Sequence, residues 1–429
     1  MILRKKLILV LCANSWDKQN LMPDRHPKYE FVFAGGELIE NLTIVDVLRF
    51  DIFSYMRKIA DSFDGCLDGV IGTGDYPGCM LAAGIASRLG LPTPALRDIV
   101  LLSHKFYSRE IQKKHAPDAT PGYETIDPFR LNRAPRALNY PIFVKPVKGT
   151  MSIRAQLVQG RAELRQALRF SLRERFAKCL LLRPYQHLLR IYSDGRVPAH
   201  HFISEEPLKG VQVTVDGFMH DASATVMGIV DSLMYSGTIC FERFEYPSRL
   251  PASVQERMAE IAVRTIEGSG LDHACFNIEM FYDEESDRVS IIEINPRMSY
   301  QFGDLYERVD GMNTYEIQLS LATSTPPCWS KGRGKCGAAA SFVMRLFSDA
   351  VPTALPSREE LDRVEARFPG IQVRVLCTLG ERLSAQDQDV GSFRYCIVNM
   401  GASNAVQLHA DYGEVRAMLT FRFSTNRPV

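Results

Sequence analysis

The chain lacks the compositional features that mark nucleic-acid-binding, membrane-spanning or disulfide-stabilised proteins. Its 51 basic and 50 acidic residues leave a formal charge of +1, so no charge excess favours binding to nucleic acid or to a membrane surface. No segment is apolar over the length that is needed to span a bilayer. Its ten cysteines are scattered, and no pair has the C-x-x-C spacing of a zinc or redox site, which favours a reducing, cytoplasmic setting.

The N-terminus resembles a signal peptide at first sight, because an apolar run from Leu7 to Ala13 follows several basic residues. That run is at the short limit for a signal peptide, and a polar stretch follows it without a small-residue cleavage pattern. We therefore expect a buried first strand. With 429 residues, of which 46% are hydrophobic and 24% charged, the chain has the composition of a globular protein with two to three domains.

The first hundred residues alternate short apolar runs with helix-capable sequence, which predicts a parallel sheet wrapped by helices. The predicted strands are Leu7–Cys12, Phe31–Ala34 and Gly69–Ile71. A glycine-rich turn from Gly72 to Gly78 follows the third strand and lacks the full G-x-G-x-x-G spacing, so we interpret it as a tight strand-to-helix turn. Within it, Asp75 and Tyr76 are weak candidates for contact with a substrate.

The stretch from Phe276 to Arg297 carries the strongest chemical pattern. Apolar residues flank Glu279, and after an acidic turn a second apolar run contains Glu293, which predicts two strands joined by a hairpin. An antiparallel pairing brings both carboxylates to one face, with Asn295 further along that face. Carboxylates this close repel each other unless a cation lies between them, and oxygen ligands suit Mg²⁺. A surface hairpin with solvated acids is the alternative interpretation.

Two segments upstream each contain a lysine. A lone lysine in the first turn of a helix is normally a solvated surface residue, whereas a lysine between a strand and a flexible loop suits a phosphate cover. The first is a predicted helix from Leu101 to His115, with Ser103 as its N-cap and Lys105 in its first turn. The second is a strand that ends in Lys145 and is followed by a flexible loop at Lys148–Ser152. Backbone amides and hydroxyls of this loop could wrap phosphates, and lysine would supply a point charge. The loop residues concerned are Gly149, Thr150 and Ser152.

Several further elements are expected from periodicity. Arg161 to Lys178 has the pattern of one amphipathic helix, and Val211 to Val215 alternates apolar and polar residues as a strand does. Pro326 to Gly337 is rich in proline, glycine and lysine and is interpreted as a linker or loop. The last hundred residues are expected to form short strands with one or two helices, and they carry no catalytic pattern.

The ordered set of motifs is more informative than any single one. Its members are, in chain order, Lys105, Lys145, Glu205, Glu206, Pro207, Leu208, Glu279, Glu293, Asn295 and Arg297. This set resembles the ATP-grasp superfamily over roughly Leu101 to Thr325, with a preceding α/β domain of the kind that the family usually has.

The resemblance implies a role for each of these residues. Lys105 would contact the phosphates of ATP, and Lys145 would lie near the phosphates and the adenine. Family members usually have an acid for the ribose where this chain has Gln212, whose amide can still hydrogen-bond a ribose hydroxyl. The nucleotide-contacting residues would be Lys105, Lys145, Thr150, Ser152, Glu205, Glu206, Leu208 and Gln212, with the hinge at Glu205–Leu208 and the backbone of Glu206 and Leu208 contacting the adenine edge. Glu279, Glu293 and Asn295 would hold magnesium, and Arg297 with Lys105 would act in catalysis by neutralising the transferring phosphoryl group.

The same resemblance implies an α/β fold, with α+β character in the ATP-grasp part. We expect an N-terminal parallel α/β domain at residues 1–100, a two-subdomain ATP-grasp core at 101–325, and a small C-terminal α+β domain at 326–429. The expected cofactors are ATP and Mg²⁺, with two ions bound and Mn²⁺ able to substitute. The expected partners are a small-molecule carboxylate and an amine, with no nucleic acid and no membrane, and a homodimer is common among relatives.

The expected activity is that of a cytoplasmic, ADP-forming carboxylate–amine ligase of the amino-acid or dipeptide ligase type. Biotin carboxylases are the nearest alternative, but they have a basic glutamate four positions after the arginine, where this chain has Gln301, and an amide cannot accept a proton at neutral pH. A non-catalytic ATP-binding protein is a second alternative, which the intact acidic set disfavours. A dehydrogenase that uses the Gly72–Gly78 turn is a third, and it lacks the acidic residue of a proper fingerprint.

Overall fold

The chain begins with short strands that alternate with helices, as its sequence predicts. The structure is a computed structural model that describes residues 4–39, 44–130, 139–149, 154–386 and 392–425. Its first elements are β1 (Lys6–Leu11), α1 (Ser15–Asn20), β2 (Tyr29–Ala34), α2 (Ile44–Arg49), α3 (Ile52–Ser62), β3 (Gly69–Ile71), α4 (Gly78–Arg88) and α5 (Leu96–Leu102). Within the described residues, β1 lies between β2 and β3 and runs parallel to both. The predicted parallel α/β unit is confirmed.

The predicted helix from Leu101 to His115 is wrong in its first part. Helix α5 continues to Leu102, and a separate helix, α6 (Lys105–His115), begins three residues later. Ser103, the predicted N-cap, instead follows the last residue of α5, because the buried apolar run that precedes it continues that helix. The predicted domain boundary at residue 100 falls inside α5, and the domain bounds remain a prediction.

A small antiparallel sheet follows in the chain. It lies on one side of the pocket that is described below as the candidate active site. Its elements are β4 (Tyr123–Ile126), β5 (Ile142–Pro146), β6 (Gln156–Val158), α7 (Arg161–Ala167), α8 (Leu172–Leu181), α9 (Arg183–Tyr192) and β7 (Phe202–Glu205). The strand order within the described residues is β4–β7–β5–β6. An apolar cluster that includes Val144, Leu164 and Phe202 packs between this sheet and α7. The strand that carries Lys145 is therefore well packed.

The single helix predicted from Arg161 to Lys178 is wrong. The structure has two helices there, because Ser171 caps the start of α8. The Ser171 hydroxyl accepts from the Glu174 N–H, and the Glu174 carboxylate accepts from the Ser171 N–H. This capping box is a strong start signal for a new helix. The apolar periodicity continues through the break, which is why the pattern alone did not reveal it.

The largest sheet carries the predicted hairpin. Its elements and the helices around it are β8 (Val211–His220), β9 (Ser223–Met234), β10 (Phe241–Tyr246), α10 (Ala252–Ser269), β11 (Ala274–Asp283), β12 (Arg288–Asn295), α11 (Gly303–Asp310), α12 (Thr314–Ala322), β13 (Ala338–Leu346), β14 (Val351–Ala354), α13 (Arg358–Arg367), β15 (Gln372–Val375), β16 (Phe393–Ala402), α14 (Ala405–Met418) and β17 (Arg422–Ser424). In the described part of the chain, the strand order is β12–β11–β8–β9–β10–β13–β16–β15.

Most strands from the last hundred residues join the largest sheet, whereas β14 and β17 pair with each other in a separate two-stranded sheet. β13 pairs with β10 of the central part, and β16 and β15 extend the same sheet outward. An apolar core also joins the N-terminal helices to the back of this sheet, through residues such as Ile85, Ile261 and Ile278. The hairpin is therefore packed against the N-terminal part of the chain. None of the helices within the described ranges is long and apolar enough to cross a membrane.

Candidate active site

Glu279 on β11 and Glu293 on β12 are direct cross-strand partners. The two strands are antiparallel, as the acidic turn between them predicts, and the register shifts immediately after Glu279. Both side chains line one large pocket, so they lie on the same face of the sheet. The prediction that the hairpin pairs these two carboxylates is confirmed.

Asn295 lies on the same face, and hydrogen bonds set the orientation of its amide. Its Nδ2 donates to Asn277 Oδ1 at 3.1 Å and lies 3.5 Å from Glu279 Oε1. Asn277 is itself held, because its Nδ2 donates to the buried carboxylate of Asp216 at 2.9 Å. Since the nitrogen of Asn295 is committed to these contacts, its carbonyl oxygen is the atom that remains for a ligand.

The electrostatics of this face favour a bound cation. Burial, together with the negative charge of Glu293, raises the pKa of Glu279 to about 7. A positive ion between the two carboxylates would relieve both the burial cost and the repulsion. The carboxylate oxygens of Glu279 and Glu293 and the amide oxygen of Asn295 form an oxygen-only set, which fits the ligand preference of Mg²⁺.

Lys105 and Lys145 reach the same pocket from α6 and β5. The Lys105 Nζ lies 3.0 Å from Glu293 Oε1 and donates to the carbonyl oxygen of Gly149 at 3.2 Å. The Lys145 Nζ lies 2.8 Å from Glu205 Oε2 and 3.2 Å from the carbonyl oxygen of Ile292. The structure therefore brings both predicted lysines beside the acidic face, where their charges can meet phosphate oxygens.

Glu205 ends β7 and is buried between two cations. Its Oε1 lies 2.7 Å from Arg109 Nε, and its Oε2 contacts Lys145. Burial acts to raise the pKa of this carboxyl, but the charges of Arg109 and Lys145 outweigh burial and lower the pKa to about 2. The Glu205 side chain is thus committed to holding Lys145 in place, and a direct contact of this residue with ATP remains a prediction.

Arg109 is a residue that the sequence pattern did not reveal. It lies on α6, four residues after Lys105, in a helix whose composition suggests a solvated surface. In the structure it is 1% exposed, and its two terminal nitrogens donate to the carbonyl oxygens of Ile291 and Ile292, both at 2.9 Å. The available signal was the spacing of four, which puts Arg109 on the same helix face as Lys105.

Arg297 follows β12 and pairs with Asp75 of the N-terminal glycine-rich turn. The Arg297 Nε lies 2.7 Å from Asp75 Oδ1, and Nη2 lies 3.3 Å from Oδ2. Burial disfavours the charged form of Asp75, but the guanidinium outweighs burial and lowers the pKa of this carboxyl. Asp75 lines the same large pocket, so the weak sequence candidate lies at the predicted site.

Gln212 lies beside the acidic pair. Its Nε2 donates to Glu279 Oε2 at 3.0 Å, and across the sheet it is the register partner of Phe281. An acid at this position would add a third negative charge to the face, whereas the amide donates a hydrogen bond to it. The predicted contact between Gln212 and the ribose remains a prediction.

Three residues of the predicted hinge, Glu205, Glu206 and Leu208, line the same pocket. The Glu206 side chain lies 2.8 Å from the Arg288 guanidinium, and its backbone N–H donates to the carbonyl oxygen of Gly122 at 3.0 Å. Two predicted phosphate-cover residues, Thr150 and Ser152, lie outside the described residues.

The large pocket has a volume of about 410 Å³, which is enough for a nucleotide-sized ligand. Its lining combines apolar side chains, such as Phe143, Met234 and Phe281, with the charged groups. A smaller cavity of about 140 Å³ adjoins it and shares Glu279 and Arg297 in its lining. The site thus has room for a nucleotide, with a second, smaller cavity beside Glu279 and Arg297.

Lys148 begins the segment that was predicted to be a flexible loop, yet it is buried. Its ammonium lies 5.0 Å from the centre of the Tyr185 ring and 5.7 Å from that of Tyr76, within the range of cation–π attraction. The first residue of the segment is therefore packed against Tyr185 of α9 and Tyr76 of the N-terminal glycine-rich turn.

His104 stacks against Tyr185 at a centroid distance of 6.3 Å and is fully buried. Burial and the charges of Lys148 and Lys105 lower its pKa from 6.5 to about 3. The unfolded chain takes up this proton below about pH 6.5, whereas the folded chain does not, so acid favours unfolding. We expect His104→Phe to reduce the fall in unfolding free energy between pH 6.5 and 4 by up to about 1.4 kcal/mol per pH unit. Urea unfolding of both proteins across this range measures the effect, and equal slopes would contradict it.

Comparison with known proteins links this site to a family. A family model described as the ATP-grasp domain matches residues 138–305, the segment that contains Lys145, the hinge and the acidic hairpin. No curated protein matches the chain by sequence.

Solved structures resemble the chain over nearly its whole length. The L-amino acid ligase from Bacillus licheniformis has a TM-score of 0.71 at 15% identity, covering 99% of this chain and 100% of that one. The N5-carboxyaminoimidazole synthase from Aspergillus clavatus, in complex with ADP and 5-aminoimidazole ribonucleotide, has a TM-score of 0.65 at 12% identity, with coverages of 96% and 98%. The biotin carboxylase domain of the Hydrogenobacter thermophilus 2-oxoglutarate carboxylase, with MgADP and bicarbonate, has a TM-score of 0.62 at 12% identity, with coverages of 98% and 91%. At these identities the likeness is one of fold.

Proposed function

Because the chain contains an ATP-grasp domain, and because its fold is that of ATP-dependent carboxylate–amine ligases, we propose that it joins a carboxylate to an amine at the expense of ATP. The carboxylate is first phosphorylated to an acyl phosphate, and an amine, which we propose to be an amino acid, then displaces phosphate to form an amide. ADP and phosphate are released. The observation that carries the proposal is the convergence of Lys105, Glu279, Glu293 and Arg297 on one nucleotide-sized pocket.

In this proposal, ATP lies in the 410 Å³ pocket with its adenine at the hinge. The Glu206 N–H is engaged by the carbonyl oxygen of Gly122, so the Glu206 carbonyl would accept from the adenine amino group, and the Leu208 N–H would donate to the ring. The phosphates would then extend toward Lys105 and Lys145. This orientation puts the γ-phosphate next to the acidic hairpin.

Glu279, Glu293 and Asn295 are the residues that would hold magnesium. We propose two ions, with Mn²⁺ able to replace them. Bound there, the metal would screen the phosphate oxygens and so lower the electrostatic cost of phosphoryl transfer to an anionic carboxylate. Lys105 already contacts Glu293, and its ammonium group would then also attract the phosphate oxygens.

The reaction needs two steps, because the carboxylate carbon has no good leaving group until one carboxylate oxygen is phosphorylated. A substrate carboxylate oxygen attacks the γ-phosphorus, the bond from that phosphorus to the β,γ-bridging oxygen breaks, and ADP leaves. The amine nitrogen then attacks the acyl carbon and loses a proton, and the carbon–oxygen bond to phosphate breaks. Arg297 and Lys105 supply fixed positive charge where the transferring group carries negative charge.

We expect ADP and phosphate to form in equal amounts when the protein is given ATP, Mg²⁺ and a mixed pool of L-amino acids, and not when the pool is omitted. Chromatography of the nucleotides and a phosphate assay measure this, and mass spectrometry of the products identifies the amide. Formation of AMP, or no turnover with any carboxylate offered, would contradict the proposal.

The same assay separates the alternative activities. A carboxylating enzyme would depend on bicarbonate. Gln301 stands where biotin carboxylases have a base, and its Nε2 donates a hydrogen bond to Ser341 Oγ at 2.9 Å. A non-catalytic binder would retain ATP without ADP formation under every condition.

Light scattering of the purified protein tests the proposed homodimer, and limited proteolysis tests the proposed domain bounds at residues 100 and 325.

A further inference from the structure

Two histidines lie side by side at the end of the largest sheet that is remote from the candidate active site. His220 is the last residue of β8, and His273 immediately precedes β11. The last register pair of these antiparallel strands is Met219 with Ala274, so the two histidines are the next opposite positions, and their ring centroids are 5.3 Å apart. Glu279 follows six residues further along β11, about 20 Å away at the rise of a strand.

An exposed carboxylate lies between the two imidazole rings. Asp221 follows His220 in the turn to β9, and its two oxygens lie 3.4 Å from His220 Nδ1 and 3.9 Å from His273 Nε2. Both distances are longer than those of a good hydrogen bond. The three donor groups lie within 4.8 Å of one another, and a tetrahedral Zn²⁺ ion holds its donors about 3.3–3.6 Å apart. Since the Asp221 side chain is exposed, small side-chain rotations close this cluster around an ion.

A second acid, Asp272, orients the ring of His273. Its Oδ1 lies 3.5 Å from His273 Nδ1 and accepts from the His273 N–H at 2.7 Å. Its Oδ2 accepts from the N–H of Ala222, in the β8–β9 turn, at 3.1 Å. A carboxylate beside Nδ1 favours the tautomer that carries its proton there, which leaves the lone pair of Nε2 for a metal. Asp272 thus connects the two segments that supply the three donors.

The charges around the two histidines favour a cation. Glu267 of α10 accepts from the Ala224 N–H at 3.1 Å and so adds a third carboxylate to Asp221 and Asp272. In the described part of the chain, none of these three carboxylates forms an ion pair with a lysine or arginine. A divalent ion would therefore neutralise acids that lack a permanent cationic partner.

A second group of similar composition, Asp127, His200 and His201, suits a cation less well. Arg130 Nε lies 3.8 Å from Asp127 Oδ2 and already supplies a positive charge. Burial, with a contribution from the charge of Lys178, lowers the pKa of both histidines. These two fixed cations would repel a metal ion at this second group.

We propose that His220, Asp221 and His273 bind one Zn²⁺ ion, with water as the fourth ligand and Asp272 behind His273. Two imidazole nitrogens and one carboxylate are a donor set that zinc accepts in tetrahedral geometry. The ion connects the β8–β9 turn to the start of β11 and stabilises the sheet at the end opposite the catalytic acids. This site is independent of the magnesium ions of the proposed ligase reaction.

The test is a calorimetric titration of the full chain with Zn²⁺ after treatment with a chelator and its removal. ADP and excess Mg²⁺ are present, so that the acidic hairpin is already occupied. We expect one equivalent of Zn²⁺ to bind and to raise the melting temperature, since an ion that binds only the folded chain stabilises it. His220→Gln and His273→Gln should each lose this equivalent and the rise in melting temperature.

Two further variants make the test specific. Asp272→Asn should bind Zn²⁺ roughly 10- to 100-fold more weakly, the usual effect of changing the acid behind a ligating histidine. His187→Gln, on α9 and outside both histidine groups, is the matched control and should bind Zn²⁺ as the wild-type protein does.

Zinc binding by the wild-type protein that is no tighter than binding by His273→Gln would overturn the proposal. An equivalent that survives in His273→Gln and disappears in His200→Gln would assign the ion to the second group and would also overturn it. If a variant does not fold, the X-ray absorption spectrum of the zinc-loaded wild-type protein decides the question. Scattering from two imidazole rings is expected, and sulfur ligands or oxygen ligands alone would contradict the proposed site.

Discussion

Glu293→Gln is expected to reduce ADP formation on the order of 100- to 1,000-fold, the size of effect seen when one charge-stabilising group is removed from an active site. Glutamine has nearly the same shape, but it removes the negative charge that faces Glu279 and contacts Lys105. The metal ions would lose one anionic ligand and Lys105 would lose its partner. The pre-steady-state rate of ADP formation at saturating ATP and Mg²⁺ measures the effect.

The fold of this variant should not suffer, because the substitution removes a repulsion between two partly buried carboxylates. We expect its melting temperature without metal to equal or exceed that of the wild-type protein. Glu284→Gln, in the exposed turn of the same hairpin, is the matched control and should retain full activity. Retained activity in Glu293→Gln would remove this residue from the metal site.

Arg109→Leu is expected to destabilise the protein by roughly 3–5 kcal/mol, the cost of removing one partner from a buried ion pair. It would leave the buried Glu205 with Lys145 alone, would remove the Arg109 donor from the carbonyl oxygen of Ile291, and would remove one of the two donors to that of Ile292. Urea unfolding at pH 7.5 measures the loss. Lys113→Met, an exposed change on the same helix, is the control and should change the unfolding free energy little.

The destabilisation should also depend on pH in a defined direction. The folded chain holds the Glu205 pKa at about 2, below the ordinary 4.5, so its ionised form stabilises the fold above pH 4.5 and this contribution is lost toward pH 2. The difference between wild-type protein and Arg109→Leu should therefore shrink as the pH falls below 4.5. A loss under about 1 kcal/mol at pH 7.5, or a difference that grows in acid, would contradict the assigned role of Arg109.

The sequence predicted the hairpin well because its signal is local. Glu279 and Glu293 stand within strong apolar strands separated by a short acidic turn, and for such a hairpin the turn determines which residues face each other. The N-terminal parallel strands were also predictable from alternation with helices. In each case the signal is a local pattern of the chain, although the parallel strands themselves pair residues that are distant in sequence.

What the sequence did not reveal depends on distant partners. In the sequence, Arg109 has neighbours that are typical of a surface residue. In the structure, β7 and β12 pack over it and bury it. Asp75 meets Arg297 across 222 positions of chain, and no local pattern encodes that contact. Strands β13, β16 and β15 join the central sheet through pairing of β10 with β13, which only the folded topology determines.

The most direct test of the central claim follows the oxygen atoms. The protein is incubated with ATP, Mg²⁺ and a pool of L-amino acids labelled with ¹⁸O in their carboxyl groups, and the nucleotide and phosphate products are analysed by mass spectrometry. An acyl phosphate route transfers one ¹⁸O atom from the carboxylate to the released phosphate and leaves ADP unlabelled. Label in AMP, or phosphate without label during turnover, would contradict the account.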